Sequence, residues 1–190
     1  MILFRAYLLA GLVAHKVVWE ILKRRQGGSA GVQPKPSSWS PLLVKTAKTG
    51  VLLGILLQTV TPEIFPITSD PTGLRVVGVS VYTLGLFVAI AGRLQLGRNW
   101  ADIESPVVLE HQRVVATGLY RYIRHPIYVG DILLLVGLEL CLNSWLVLGV
   151  IPLVPIVVWR AVREEALLAN ALAGYEAYRA HTRRFVPFVV

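Results

Sequence analysis

Five long apolar stretches, separated by polar segments that carry almost all of the positive charge, constrain this 190-residue sequence most. A helix that crosses the hydrocarbon core of a bilayer needs about 20 mostly apolar residues. Such stretches run over about 2–22, 41–60, 74–97, 127–142 and 145–162. Charged residues make up 16% of the chain, against about 25% in ordinary soluble domains. Mean hydropathy is +0.61. The prediction is an all-α, polytopic integral membrane protein with about five transmembrane helices. Spans four and five form a helical hairpin, and the length suits one membrane domain, 1–190.

Several local signals refine this picture. Ile2 to Trp19 resembles a signal peptide until its flank is read. No small-residue cleavage site follows it; Lys23, Arg24 and Arg25 do, so the stretch reads as a first span. Lys16 and Glu20 are spaced to pair within it. A turn-rich linker, Gln26 to Gly31 with Pro34 and Pro36, leads to the second span, whose first turns hold Lys45 and Lys48. Asp131 and Glu139 interrupt the short fourth span, and Asn143-Ser144 is a tight turn after it. Pro152 and Pro155 should kink the fifth. Arg163 to His181 reads as an amphipathic helix continuing that span, and the tail Phe185 to Val190 is expected to dip back into the interface.

Charge fixes an expected orientation. Every basic residue except Arg5, Lys16 and Arg75 falls within 23–48, 93–124 or 160–184. With five spans, these three segments lie on one side. The positive-inside rule then puts the N-terminus outside and the C-terminus in the cytoplasm, in an inner membrane. The net charge of +8 raises the question of nucleic acid, but the basic residues punctuate apolar segments and form no single stripe. No nucleic-acid partner and no metal is expected. The single Cys141 sits in an apolar run and reads as a buried structural thiol.

The polar segments hold the candidate chemistry. Tyr120-Arg121-Tyr122-Ile123-Arg124-His125-Pro126-Ile127-Tyr128 packs more cationic and aromatic character than a helix cap needs. Pro126 suits the first turn of the helix that follows. The segment reads as half of a binding site at the membrane surface. The other half is Arg160 to Leu168, where Arg160 and Glu164 share a helix face. Arg160 lies at the base of an apolar span, a place where charge is expensive and usually functional. Gly92 to Trp100 would floor the pocket, and Gln112 to Tyr120 would offer free backbone groups.

In this order, these segments resemble the isoprenylcysteine carboxyl methyltransferase family and its bacterial and archaeal relatives. The matching elements are Leu96-Gly97-Arg98-Asn99-Trp100, Gln112-Arg113-Val114-Val115, Gly118-Leu119-Tyr120, Arg124-His125-Pro126-Ile127-Tyr128-Val129-Gly130, Glu164-Glu165-Ala166-Leu167-Leu168, and Tyr175 with Tyr178. They cover about 78–190. By this resemblance 1–73 holds spans one and two, and 74–190 is the catalytic methyltransferase region with a cytosolic C-terminal cofactor site. The implied cofactor is S-adenosyl-L-methionine, with S-adenosyl-L-homocysteine as product. The implied cofactor contacts are Gln112, Arg113, Val114, Val115, Tyr120, His125, Pro126, Ile127, Tyr128 and Glu164. Arg160 is the implied contact to the acceptor carboxylate and, with Glu164, the implied catalytic pair. One departure is that Gln112 opens an element that begins with His in the family, with His111 displaced by one. Another is that Gly174 abuts Tyr175.

The chemistry of those side chains suits such a cofactor. Glu164 can pair with an ammonium or accept from a ribose hydroxyl, and aromatic faces suit adenine or a sulfonium. A carboxylate acceptor is already ionised and needs no strong base. An amine acceptor, as in phospholipid N-methylation, or a thiol would need one, and Glu165 or His125 are the candidates. The expected acceptor is a lipid-like or prenylated small molecule. Two other classes remain: an NADPH-dependent sterol-type reductase, for which no Gly-rich phosphate cradle is visible, and a non-catalytic membrane protein.

Overall fold

The computed structural model describes residues 2–25, 41–61, 63–100 and 112–187. Six α-helices appear among them: α1 Ile2–Arg25, α2 Pro41–Val60, α3 Thr72–Leu96, α4 Pro126–Cys141, α5 Leu153–Ala171 and α6 Tyr175–His181. Three helical segments are long and apolar enough to cross a membrane: Ile2–Arg25, Thr72–Asn99 and Trp145–Ala171. All five expected stretches are helical, but α4 has 16 residues, or roughly 24 Å at the α-helical rise. That is short of the ~30 Å core. The linker 26–40 and His111 lie outside the described residues, as do the side chains of Lys45 and Lys48.

The core is an antiparallel pair, α3 against α4, and small residues let the backbones touch. A Cβ added at Gly78 would strike Cys141, one at Gly85 would strike Leu134, and one at Gly137 would strike Tyr82. One at Gly130 would strike Ala89. Gly92, nearest the site, faces Pro126 and Ile127. Helices in lipid gain little from the hydrophobic effect, so close packing through small residues is what holds them. Gly137→Val is therefore expected to lower unfolding stability in mixed micelles by about 1–3 kcal/mol. Gly73→Ala, with open space around it, should leave stability unchanged.

Polar bonds between helices complete the bundle. The buried Tyr82 hydroxyl donates to the Leu8 carbonyl at 2.6 Å. Asp131 and Glu139, which interrupt the fourth stretch, each bind another helix: His15 Nε2 lies 3.0 Å from Asp131 Oδ1, and Gln58 Nε2 donates to Glu139 Oε2 at 2.7 Å. In α1, Glu20 accepts from Arg24 at 2.7 Å. Beyond α4, Asn143 adopts a left-handed φ of 55°. Its amide receives the backbone N–H groups of Ile67 and Thr68 and donates to Glu63, which also pairs with Arg75.

Two expectations for the C-terminal half need correction. The prolines do not kink a continuous fifth helix. A 3-10 segment, Trp145–Val150, precedes it, and α5 begins after Pro152. The helix also does not run on to His181. Leu172 is extended and Gly174 is left-handed at φ 83°, so α6 starts afresh. This break turns the chain back toward the start of α4.

Candidate functional site

The start of α4 and the end of α5 meet. Pro126 opens α4 and His125 is its N-cap residue. Two groups on that first turn reach α5. The Tyr128 hydroxyl donates to Glu164 Oε2 at 2.9 Å, and His125 Nε2 lies 3.0 Å from Glu165 Oε1. A carboxylate can only accept, so Nε2 carries the hydrogen. The His125 and Tyr128 rings stack, with centroids 5.3 Å apart and planes 11° from parallel.

Glu165 is the hub of this region, and its partners are remote in sequence. Its side chain is 3% exposed and accepts from Arg124 Nε at 3.0 Å. Arg184 reaches it through Nε and Nη2, each at 3.0 Å. The ion pairing raises the Arg184 guanidinium further above its usual range. The backbone follows the same path. Arg124 N–H donates to the Arg183 carbonyl, Arg183 N–H to Tyr122 and His125 N–H to Arg184. This short parallel bridge lays residues 182–185 along 122–125, and Arg124 also donates to the Thr182 carbonyl. The end of the described chain thus clasps the site, with Phe185 beside His125 at 5.7 Å.

Glu164 is the other kind of acid. Its side chain is 43% exposed and the Tyr128 hydroxyl is its close partner. The Arg160–Glu164 ion pair suggested by spacing does not form. Arg160 is partly buried, has no hydrogen bond or ion pair with a described residue, and interacts electrostatically with Tyr128.

A third wall comes from the end of α3. Gly97 ends that helix with φ 53°. The Asn99 side-chain oxygen accepts from Arg113 N–H at 2.7 Å, and the Asn99 carbonyl accepts from Gln112 Nε2 at 3.1 Å. The start of the 112–115 segment is so fixed against α3. Gln95 accepts from Leu119 N–H at 2.8 Å. Tyr120 is buried in the 3-10 turn Gly118–Arg121, and its carbonyl accepts from the Tyr178 hydroxyl at 2.8 Å. Burial pushes the Tyr178 phenol up to about 12 and also raises Tyr120 and Tyr175. None of these three can act as a base near neutral pH; they offer protonated hydroxyls and ring faces.

Arg93 completes this wall. Its side chain is fully buried, with the guanidinium carbon 4.3 Å from the Trp100 ring centroid. The segment Gly92 to Trp100, expected to floor the pocket, does so with this enclosed cation. Of the expected site residues, Tyr120, His125, Pro126, Ile127, Tyr128 and Glu164 lie at or beside the junction of α4 and α5. Gln112 and Arg113 lie on the α3 wall. Glu165, a candidate base by sequence, is instead the acceptor that Arg184 clasps. The surplus of arginines near both ends of the clasp was the available signal.

The phospholipid methyltransferase family model matches residues 74–173. The chain is 27% identical over 112 residues to the protein-S-isoprenylcysteine O-methyltransferase of Schizosaccharomyces pombe. That match covers 56% of this chain and 46% of the yeast protein, so the chain spans about half the length of the curated relative it matches. A solved structure of the eukaryotic intramembrane Ras methyltransferase, isoprenylcysteine carboxyl methyltransferase, superposes with a TM-score of 0.53 at 21% identity. It covers 80% of this chain and 55% of that one, and the likeness is one of fold. The family match and the three helical segments long and apolar enough to cross a bilayer together fit an integral membrane protein. The family match spans α3 to α5 and stops short of α6 and Arg184.

Proposed function

Since the chain belongs to the phospholipid methyltransferase family, we propose that it transfers a methyl group from S-adenosylmethionine to the carboxylate of a lipophilic acceptor. The reaction runs at the cytoplasmic face of the membrane, with five spans, the N-terminus outside and the C-terminus inside. Residues 74–190 are the catalytic region and 1–73 supply the first two spans.

The residues at the site fit the cofactor. Glu164, half-exposed beside Tyr128, is free to take the ammonium. The stacked His125 and Tyr128 rings and the buried Tyr120 offer faces for the adenine and the sulfonium. Val114 and Val115, next to the part of 112–115 anchored on Asn99, supply backbone groups for the base edge. When bound, S-adenosylmethionine supplies an electrophilic methyl carbon, and the acceptor oxygen's new C–O bond replaces the C–S bond, whose electron pair stays on sulfur.

The single observation that carries the carboxylate reading is Arg160. A guanidinium without an ion-pair partner among the described residues, beside Tyr128 and one helical turn before Glu164, suits a planar anion bound in two-pronged fashion. Arg160 holds the acceptor carboxylate in line with the methyl, and the helices exclude water. Such positioning can supply roughly 7–11 kcal/mol of barrier lowering. An already ionised oxygen needs no proton removed.

The test uses the full chain in nanodiscs with a prenylcysteine analogue as acceptor. Wild type should form an alkali-labile methyl ester. Arg160→Met should lower kcat/KM at least about tenfold, chiefly through the acceptor KM, with cofactor affinity unchanged. An alkali-stable product, or full activity in Arg160→Met, would contradict the carboxylate reading.

A further inference from the structure

We propose that Arg93 is the residue that binds the amino-acid carboxylate of the cofactor. The inference rests on the methyltransferase reading above and adds a ligand contact to it. Arg93 stands in the last turn of α3 and is 0% exposed. One of its nitrogens is satisfied: Nη1 donates to the Gly97 carbonyl at 3.0 Å. Nε and Nη2 have no hydrogen-bond partner among the described residues. Buried N–H groups are nearly always paired, so two orphans on one cation require an explanation. Nε and Nη2 lie on the same edge of the guanidinium. Their N–H bonds point in parallel, the arrangement that grips both oxygens of a carboxylate.

Position points to which carboxylate. Gly92, the neighbour of Arg93, packs against Pro126 and Ile127, so Arg93 lies level with the start of α4. Two residues on, Gln95 holds Leu119 N–H. The ring of Tyr120 interacts electrostatically with both Arg93 and Glu164. A cation and an acid thus flank one buried, protonated phenol. That is the charge pattern of an α-amino acid in reverse: Glu164 faces the ammonium and Arg93 faces the carboxylate. Trp100 covers the guanidinium face, so the two unpartnered N–H groups lie along the edge. Arg160, from α5, is then free for the acceptor.

The experiment compares two ligands that differ only in the carboxylate, S-adenosylmethionine and its decarboxylated form. Binding is measured by calorimetry on the full chain in nanodiscs. Wild type should prefer the carboxylated ligand at least about tenfold. Arg93→Met should erase that preference by weakening S-adenosylmethionine while leaving the decarboxylated form unchanged. Arg93→Lys, which keeps the charge without the two-pronged edge, should retain part of the preference and covers the case in which Arg93→Met fails to fold. Equal weakening of both ligands would overturn the proposal, leaving Arg93 a structural prop for Gly97 and Trp100. Unchanged cofactor binding with a raised KM for a carboxylate acceptor would also overturn it, assigning Arg93 to the acceptor. If wild type binds neither ligand, the methyltransferase reading falls first.

Discussion

Glu165→Ala is expected to destabilise the protein by about 3–5 kcal/mol and to release the C-terminal segment from the site. The carboxylate is buried and accepts from Arg124, His125 and Arg184 together. Removing the carboxylate from a buried ion pair leaves the Arg124 and Arg184 guanidiniums as uncompensated charge, which is the costly case. The Arg124 and His125 side chains are only 9% and 5% exposed, so neither reaches water without disturbing the packing around it. Thermal unfolding in detergent would show the loss. Limited proteolysis after residue 171 would show the released clasp. A change within ±0.5 kcal/mol would mean that the guanidiniums find other partners.

The adjacent acid should behave in the opposite way. Glu164→Gln is expected to weaken S-adenosylmethionine binding about 10- to 100-fold while leaving the unfolding midpoint unchanged. Glu164 is half-exposed and bonds closely to Tyr128, so the fold has little to lose. A glutamine keeps the bond from the tyrosine hydroxyl but not the charge that meets an ammonium. Calorimetric titration and a thermal scan on the same preparation check both halves. Adjacent carboxylates would so divide the labour, one holding the fold and the other holding the ligand. Consecutive residues on an α-helix point about 100° apart, and here Glu165 faces the clasp while Glu164 faces the ring of Tyr128.

That division could not be read from the sequence. The apolar stretches were legible because length and apolarity alone mark a helix in lipid, and Gly97, Pro126 and Asn143 punctuate the chain where turns occur. The meeting of 120–128 with 160–168 was suggested by their unusual polarity. The role of Glu165 was hidden because its partners sit 41 and 19 positions away, beyond any local pattern. Arg160 and Glu164 have the spacing of an ion pair, yet the hydroxyl of Tyr128 takes the acid instead. The break at Leu172 was missed because helical signals lie on both sides of it; only Gly174 marks the turn. Arg93 follows an apolar run as an interfacial arginine would, but glycine packing draws α3 against α4 and encloses it.

The most direct test of the central claim is radiolabelled methyl transfer. The full chain, reconstituted in proteoliposomes, is supplied with methyl-labelled S-adenosylmethionine together with extracts of membrane lipid and prenyl peptide. The account predicts label in a lipophilic product, released as methanol by alkali, and lost in Glu164→Gln. No transfer to any fraction, together with saturable NADPH binding and no binding of S-adenosylmethionine, would contradict it.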